Sequence, residues 1–127
     1  MNKLNIDSLA LEKVTITVKD ENEHIRVVIS GEIDMREPSI EVLPYLMKIH
    51  EELLKNSIRM VEIDFTGLDY INSSGIKTLI SWIMESKEIP DDRKYTIHII
   101  HNPEIVWQNS TLPVLQKLFP EIKTIQA

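Results

Sequence analysis

Apolar residues change their spacing along this chain, and that change limits the possible fold more than any other feature. Val14, Ile16 and Val18 alternate with Thr15, Thr17 and Lys19, a period of two that puts the apolar side chains on one face of a strand. Ile25 to Ile29 resumes strand character after the polar cluster Asp20-Glu21-Asn22-Glu23 and stops at Gly31, so the two runs predict a hairpin. Between Pro38 and Asn56 the period lengthens: Leu43, Leu46, Met47, His50, Leu53 and Leu54 recur at spacings of three and four, the stripe of one helical face. Pro44 has no amide hydrogen, so either regular helix begins there or its first turn kinks.

The alternation continues to the end of the chain. Met60 to Phe65 suits a central strand, and Ile76, Leu79, Ile80 and Ile83 form a second helical stripe beginning near Ser73. Lys77, Thr78, Ser81, Trp82 and Glu85 fall on or beside the other face of that helix, with Trp82 toward solvent. Tyr95 to Ile100 returns as a strand, Pro113 starts a helix through Leu118, and Ile122 to Ile125 closes the sheet. The expected fold class is α/β: a mixed, mostly parallel β-sheet opened by a hairpin, with helices packed on it. A length of 127 residues fits a single domain, with residues 1–12 as a loosely ordered N-terminal extension.

Charge and composition narrow the function. The 14 Lys and Arg against 20 Asp and Glu give a formal charge of -6, which repels nucleic acid and anionic lipid alike when the basic residues are scattered. No direct nucleic-acid or membrane partner is expected. Cysteine is absent, which removes thiolate catalysis and fits a reducing compartment. No stretch approaches the roughly 18 apolar residues that span a bilayer, and the expected location is cytoplasmic.

Chemistry concentrates in Asp69-Tyr70-Ile71-Asn72-Ser73-Ser74-Gly75-Ile76. Two hydroxyls sit where a helix begins, and the first amides of a helix lack intrahelical acceptors while its macrodipole is positive there. A phosphoryl group on such a serine meets a favourable field, and its charge of about -1.5 to -2 is enough to reject a docked partner. The plain alternative is that Asn72 and Ser73 serve only as an N-cap.

A second segment, Gly31-Glu32-Ile33-Asp34, precedes the first helix. Together with the Asn72-Ser73-Ser74-Gly75-Ile76 segment and the order of elements from Val14 onward, it resembles the STAS domain family, named for sulfate transporters and anti-sigma-factor antagonists. The resemblance implies a non-enzymatic switch without a cofactor. Unphosphorylated, such a protein captures a serine kinase of the anti-sigma-factor type; the kinase inactivates it by phosphorylation, and a cognate phosphatase resets it. The phosphorylated residue maps onto Ser73, with Ser74 as second choice. Asp34 is expected near Ser73, contacting the partner or orienting the hydroxyl. The partner surface then comprises Asp34, Asn72, Ser73, Ser74, Lys77, Thr78, Ser81 and Trp82. The sequence departs from the family at Asn72, where the antagonists usually carry Asp.

Two other readings stand beside this one: a permanent scaffold subunit whose Ser73 is only a cap, and a small-ligand or nucleotide sensor. Enzyme readings find little support. No Gly-x-Ser-x-Gly elbow surrounds Ser73 or Ser74. His98 and His101, three apart on a strand, point to opposite faces and make a poor metal pair. His50 interrupts an apolar stripe and reads as a hydrogen-bonded core or boundary residue. Glu32 and Asp34 lie two apart at a strand end, a common arrangement with little weight as an acid/base couple.

Overall fold

A computed structural model describes residues 2–127. The elements in chain order are β1 (Leu9–Ala10), β2 (Val14–Glu21), β3 (His24–Ile33), α1 (Pro38–Lys55), β4 (Met60–Asp64), β5 (Leu68–Ile71), α2 (Ser73–Lys87), β6 (Thr96–His101), α3 (Val106–Leu118) and β7 (Lys123–Gln126). One seven-stranded sheet runs β1-β2-β3-β4-β6-β7, with β5 paired to β3. The hairpin β2–β3 is antiparallel, with Ile16 opposite Ile29, and β3–β4, β4–β6 and β6–β7 are parallel. The expected mixed, mostly parallel α/β architecture is the one observed.

Burial follows the alternation that the sequence displays. Val18, Val27, Ile63 and Ile99 lie side by side on one face of the sheet, each buried, and α1 and α2 pack against each other over them. Val42, Leu46, Ile49 and Leu53 of α1, and Leu79 and Ile83 of α2, close the core. The opposite face is polar, with Arg26, Glu62 and His98 in register. Arg26 and His24 both bond the Glu62 carboxylate, at 3.2 and 2.7 Å. His98 and His101 take opposite faces, and no group of metal-holding side chains forms among the described residues.

Three expectations need correction. The segment 1–12 is not a loose extension over the part described, and Met1 lies outside the described residues. Leu4 and Ile6 are buried, the Asn2 amide donates to the carbonyls of Ile6 and Val18, and Tyr45 Oη donates to the Asp7 carbonyl at 2.6 Å. Of the two readings at Pro44, regular helix does not begin there: α1 starts at Pro38 and passes through it. Helix α3 begins at Val106 rather than at Pro113, which lies in its interior. Both prolines are exposed, as are Ile40 and Asn109 four residues before them, so the carbonyl that each proline leaves without a helical donor can bond water instead.

The core carries one buried polar chain. Trp82 Nε1 donates to Tyr95 Oη at 2.8 Å, and that hydroxyl lies 2.7 Å from His50 Nδ1. Tyr95 Oη accepts from the indole and meets no acceptor other than Nδ1 among the described residues, an arrangement that suits a neutral imidazole with Nδ1 as acceptor. Burial lowers the His50 pKa below its ordinary value, in agreement with that state. His50 is the hydrogen-bonded core residue that its place in the stripe implied.

Candidate functional site

The two motifs meet at one end of the sheet because β3 changes partner along its length. Its first half pairs with β4, through Ile25–Val61 to Val28–Asp64, and its last residues pair in parallel with β5, through Ile33–Ile71. The chain thus turns at Thr66 and Gly67 and continues beside β3 as a separate short strand. Gly31-Glu32-Ile33-Asp34 and Asn72-Ser73-Ser74-Gly75 leave the sheet side by side, at the carboxyl ends of adjacent parallel strands, where open α/β sheets place their ligand sites.

Glycines make that junction possible. Gly31 has φ +101°, and an added Cβ would stand 2.1 Å from the Lys13 carbonyl oxygen. A Cβ on Gly75 would stand 2.6 Å from Ile71 Cγ1 and 2.8 Å from Ile33 Cγ2. The bare backbone at Gly75 lets the first turn of α2 rest directly on the ends of β3 and β5.

Asn72 ties the junction together. Its backbone N–H donates to the Ile33 carbonyl, its Oδ1 accepts from the Gly75 N–H at 2.7 Å, and its Nδ2 donates to the Met35 carbonyl at 2.8 Å. Asn72 is therefore the N-cap of α2, and its bonds clasp the chain on both sides of Asp34. The asparagine that departs from the family pattern has a structural use here, since a carboxylate could cap the helix but could not donate to Met35. Asn72→Ala removes cap and clasp together and should cost about 1–2 kcal/mol. Asn72→Asp should keep the cap and lose only the clasp, so in urea unfolding its midpoint should fall between those of Asn72→Ala and the wild type.

Ser73 is the first residue of α2 and is exposed; Ser74 is half-buried. With Asn72 accepting the N–H of Gly75, the cap does not need the Ser73 hydroxyl. Asp34 is exposed, and Lys13 Nζ holds its carboxylate at 2.8 Å. That hydrogen bond raises the Lys13 pKa above its ordinary value. The side-chain hydrogen bond that Asp34 makes is thus to Lys13, and it does not orient the serine.

Along α2, Ser74, Lys77, Thr78 and Ser81 line a groove of 320 Å³ whose other wall is Arg36, Pro38, Ser39 and Leu43 of α1 and its approach. Lys77 and Ser81 are exposed as expected, but Thr78 is 5% exposed and Trp82 is fully buried. Trp82 is a core residue rather than an interface anchor, and Thr78 contributes only the edge that reaches the groove. The row Gly75, Thr78, Trp82 and Ser86, spaced by three and four, is buried throughout, because α2 rests on the sheet and flanks α1 at the same time. A helix with two neighbours buries a wider arc than the single apolar stripe in its sequence marks.

Sequence reasoning did not single out Arg36 and Glu37, which the Asn72 clasp brings beside α2, or Lys13, which reaches Asp34 from the β1–β2 connection. Nothing in the local sequence links Lys13 to Asp34; the contact exists because Glu32 N–H donates to the Lys13 carbonyl.

No protein-family profile matches the chain, and no curated protein matches it by sequence. Solved structures do. An anti-sigma factor antagonist from Mycobacterium paratuberculosis superposes with a TM-score of 0.63 at 20% identity, over 90% of this chain and 88% of that one. The fold is STAS-like. A DUF3478-family protein with a SpoIIAA-like fold from Shewanella loihica superposes with a TM-score of 0.58 at 19% identity, over 93% and 89% of the two chains. The STAS-like fold agrees with the resemblance read from the two motifs, and it places both at the junction of β3, β5 and α2. No described helix is long and apolar enough to cross a membrane.

Proposed function

We propose that this protein is a non-enzymatic binding switch of the anti-sigma-factor-antagonist kind. Its unphosphorylated form binds a serine kinase of the anti-sigma-factor type or a related regulator; phosphorylation of Ser73 releases that partner, and a phosphatase restores binding. The supporting observation is the division of labour at the start of α2: Asn72 caps the helix, while Ser73 stands exposed beside it. A serine with no capping duty, next to first-turn amides and the positive end of a helix, accepts a phosphate at little structural cost. The phosphate would add about two negative charges next to Ser74, which lines the 320 Å³ groove, repelling a partner that docks acidic or apolar surface there.

The scaffold reading differs in one outcome. Ser73→Ala should fold and capture the partner from the native host, whereas Ser73→Asp should fold equally well and lose it, with affinity at least tenfold weaker. Binding should be followed by pull-down with mass spectrometry, and the position of the phosphate by phosphopeptide mapping of the protein from cells. If both variants retain the same partner and Ser73 carries no phosphate, the chain is a constitutive scaffold subunit.

A further inference from the structure

A second groove lies on the Asp34 side of the junction. It has a volume of 550 Å³, an apolar floor of Leu11, Met35 and Ile40, and a rim on which the carboxylates of Glu12, Asp34, Glu37 and Glu41 outnumber the one ammonium, Lys13. Glu37 also lines the groove along α2, so the two depressions adjoin. Ile40 is 64% exposed, although it sits in the first turn of a helix that sends Val42, Leu46, Ile49 and Leu53 into the core. Its exposure is therefore a surface feature that folding does not require.

The rim carboxylates have few internal duties. Glu37 occupies the N-cap position of α1 but makes no side-chain capping bond, and the rim cation Lys13 is held by Asp34, with a weaker attraction to Glu12. The rim residues do not converge as a metal site, since no such group forms among the described residues. An apolar floor under a rim of net negative charge complements a segment that presents aliphatic side chains flanked by Arg or Lys. We infer that this groove docks a basic, leucine-type segment of the protein partner, with Ile40 as its apolar contact and Glu12, Glu37 and Glu41 selecting its charge. The inference rests on the switch reading for the existence of a protein partner, and it adds which surface holds that partner and by what chemistry.

The test is an NMR titration of the full chain with a short amidated peptide in which arginine pairs alternate with leucine pairs. The comparison peptides carry glutamate for arginine or serine for leucine. Expected is saturable binding of the first peptide alone, with shifts centred on the amides of Leu11, Met35 and Ile40. Ile40→Ser should weaken it at least tenfold, as should the combined Glu37→Gln and Glu41→Gln variant; all three positions are exposed, and circular dichroism should show the fold kept. Shifts spread over other acidic surface such as Glu85, Glu88 and Asp91, or an Ile40→Ser variant that binds like the wild type, would overturn the inference. An added negative charge does not repel a basic peptide, so in the same titration Ser73→Asp should bind it at least as tightly as the wild type. Loss of groove binding in that variant counts against the groove, and the switch is decided by the pull-down. Absence of wild-type binding refutes the groove and leaves the switch to the pull-down.

Discussion

Gly31→Ala should destabilise the fold by roughly 3 kcal/mol or more and disturb the candidate site in the same step. Two penalties combine. The φ of +101° at this position is one that L side chains rarely adopt, a cost of about 1–2 kcal/mol. The new Cβ would also meet the Lys13 carbonyl oxygen at 2.1 Å and Val14 Cα at 3.2 Å. Both obstacles are backbone, so no rotamer change relieves them, and overpacking of that kind typically costs about 1–3 kcal/mol. The Lys13 carbonyl that must move is the one that accepts the Glu32 N–H, and the same residue's ammonium holds Asp34. Relief of the clash therefore separates the β1–β2 connection from the end of β3 and releases Asp34. In a domain whose total stability is about 5–15 kcal/mol, the loss should appear as a melting temperature lower by on the order of 12 °C. Gly67→Ala is the control: its Cβ would meet Ser30 Cβ at 3.2 Å and Ser30 Cα at 3.8 Å, with no positive φ, and a change of less than about 1 kcal/mol is expected there.

The sequence made the sheet readable where one face is buried and the other wet. The alternation in β2 fixes its facing, and the hairpin register follows from it, because a slip of one residue would turn Ile16 and Val18 to solvent. The start of α2 was equally plain, since the Asn-Ser-Ser-Gly run carries the cap, the first helical residue and the close-approach glycine in sequence. Strand β5 was not legible. Leu68 to Ile71 buries only its two ends, and it is a strand because Gly31 to Ile33 lies beside it, a neighbour that no window of local sequence contains. The prolines misled for a related reason. Pro113 looks like a helix start when only its missing donor is considered, yet on an exposed helical face the carbonyl it orphans can bond water, and α3 extends back to Val106. The N-terminal arm was hidden because Leu4 and Ile6 are isolated apolar residues, and the bonds from Asn2 to Val18 and from Tyr45 to Asp7 are long-range.

Trp82 shows how far a helical stripe can mislead, and its replacement should give the largest single loss in the molecule. Trp82→Ala removes a fully buried indole, and large-to-small changes of this type cost about 3–5 kcal/mol because the surroundings only partly collapse into the cavity. The melting temperature should fall by roughly 12–20 °C. Trp82→Phe separates packing from hydrogen bonding. It keeps most of the ring volume but withdraws the Nε1 donor from Tyr95, leaving that hydroxyl with His50 alone, and should cost only about 1–3 kcal/mol. An interface anchor would behave differently: both replacements would leave the isolated protein as stable as the wild type and weaken only partner capture. Thermal unfolding of the two variants in the absence of any partner therefore decides the point. A melting temperature unchanged in Trp82→Ala would place the indole outside the core, and a loss in Trp82→Phe equal to that in Trp82→Ala would make the bond to Tyr95, rather than the filled volume, the dominant contribution.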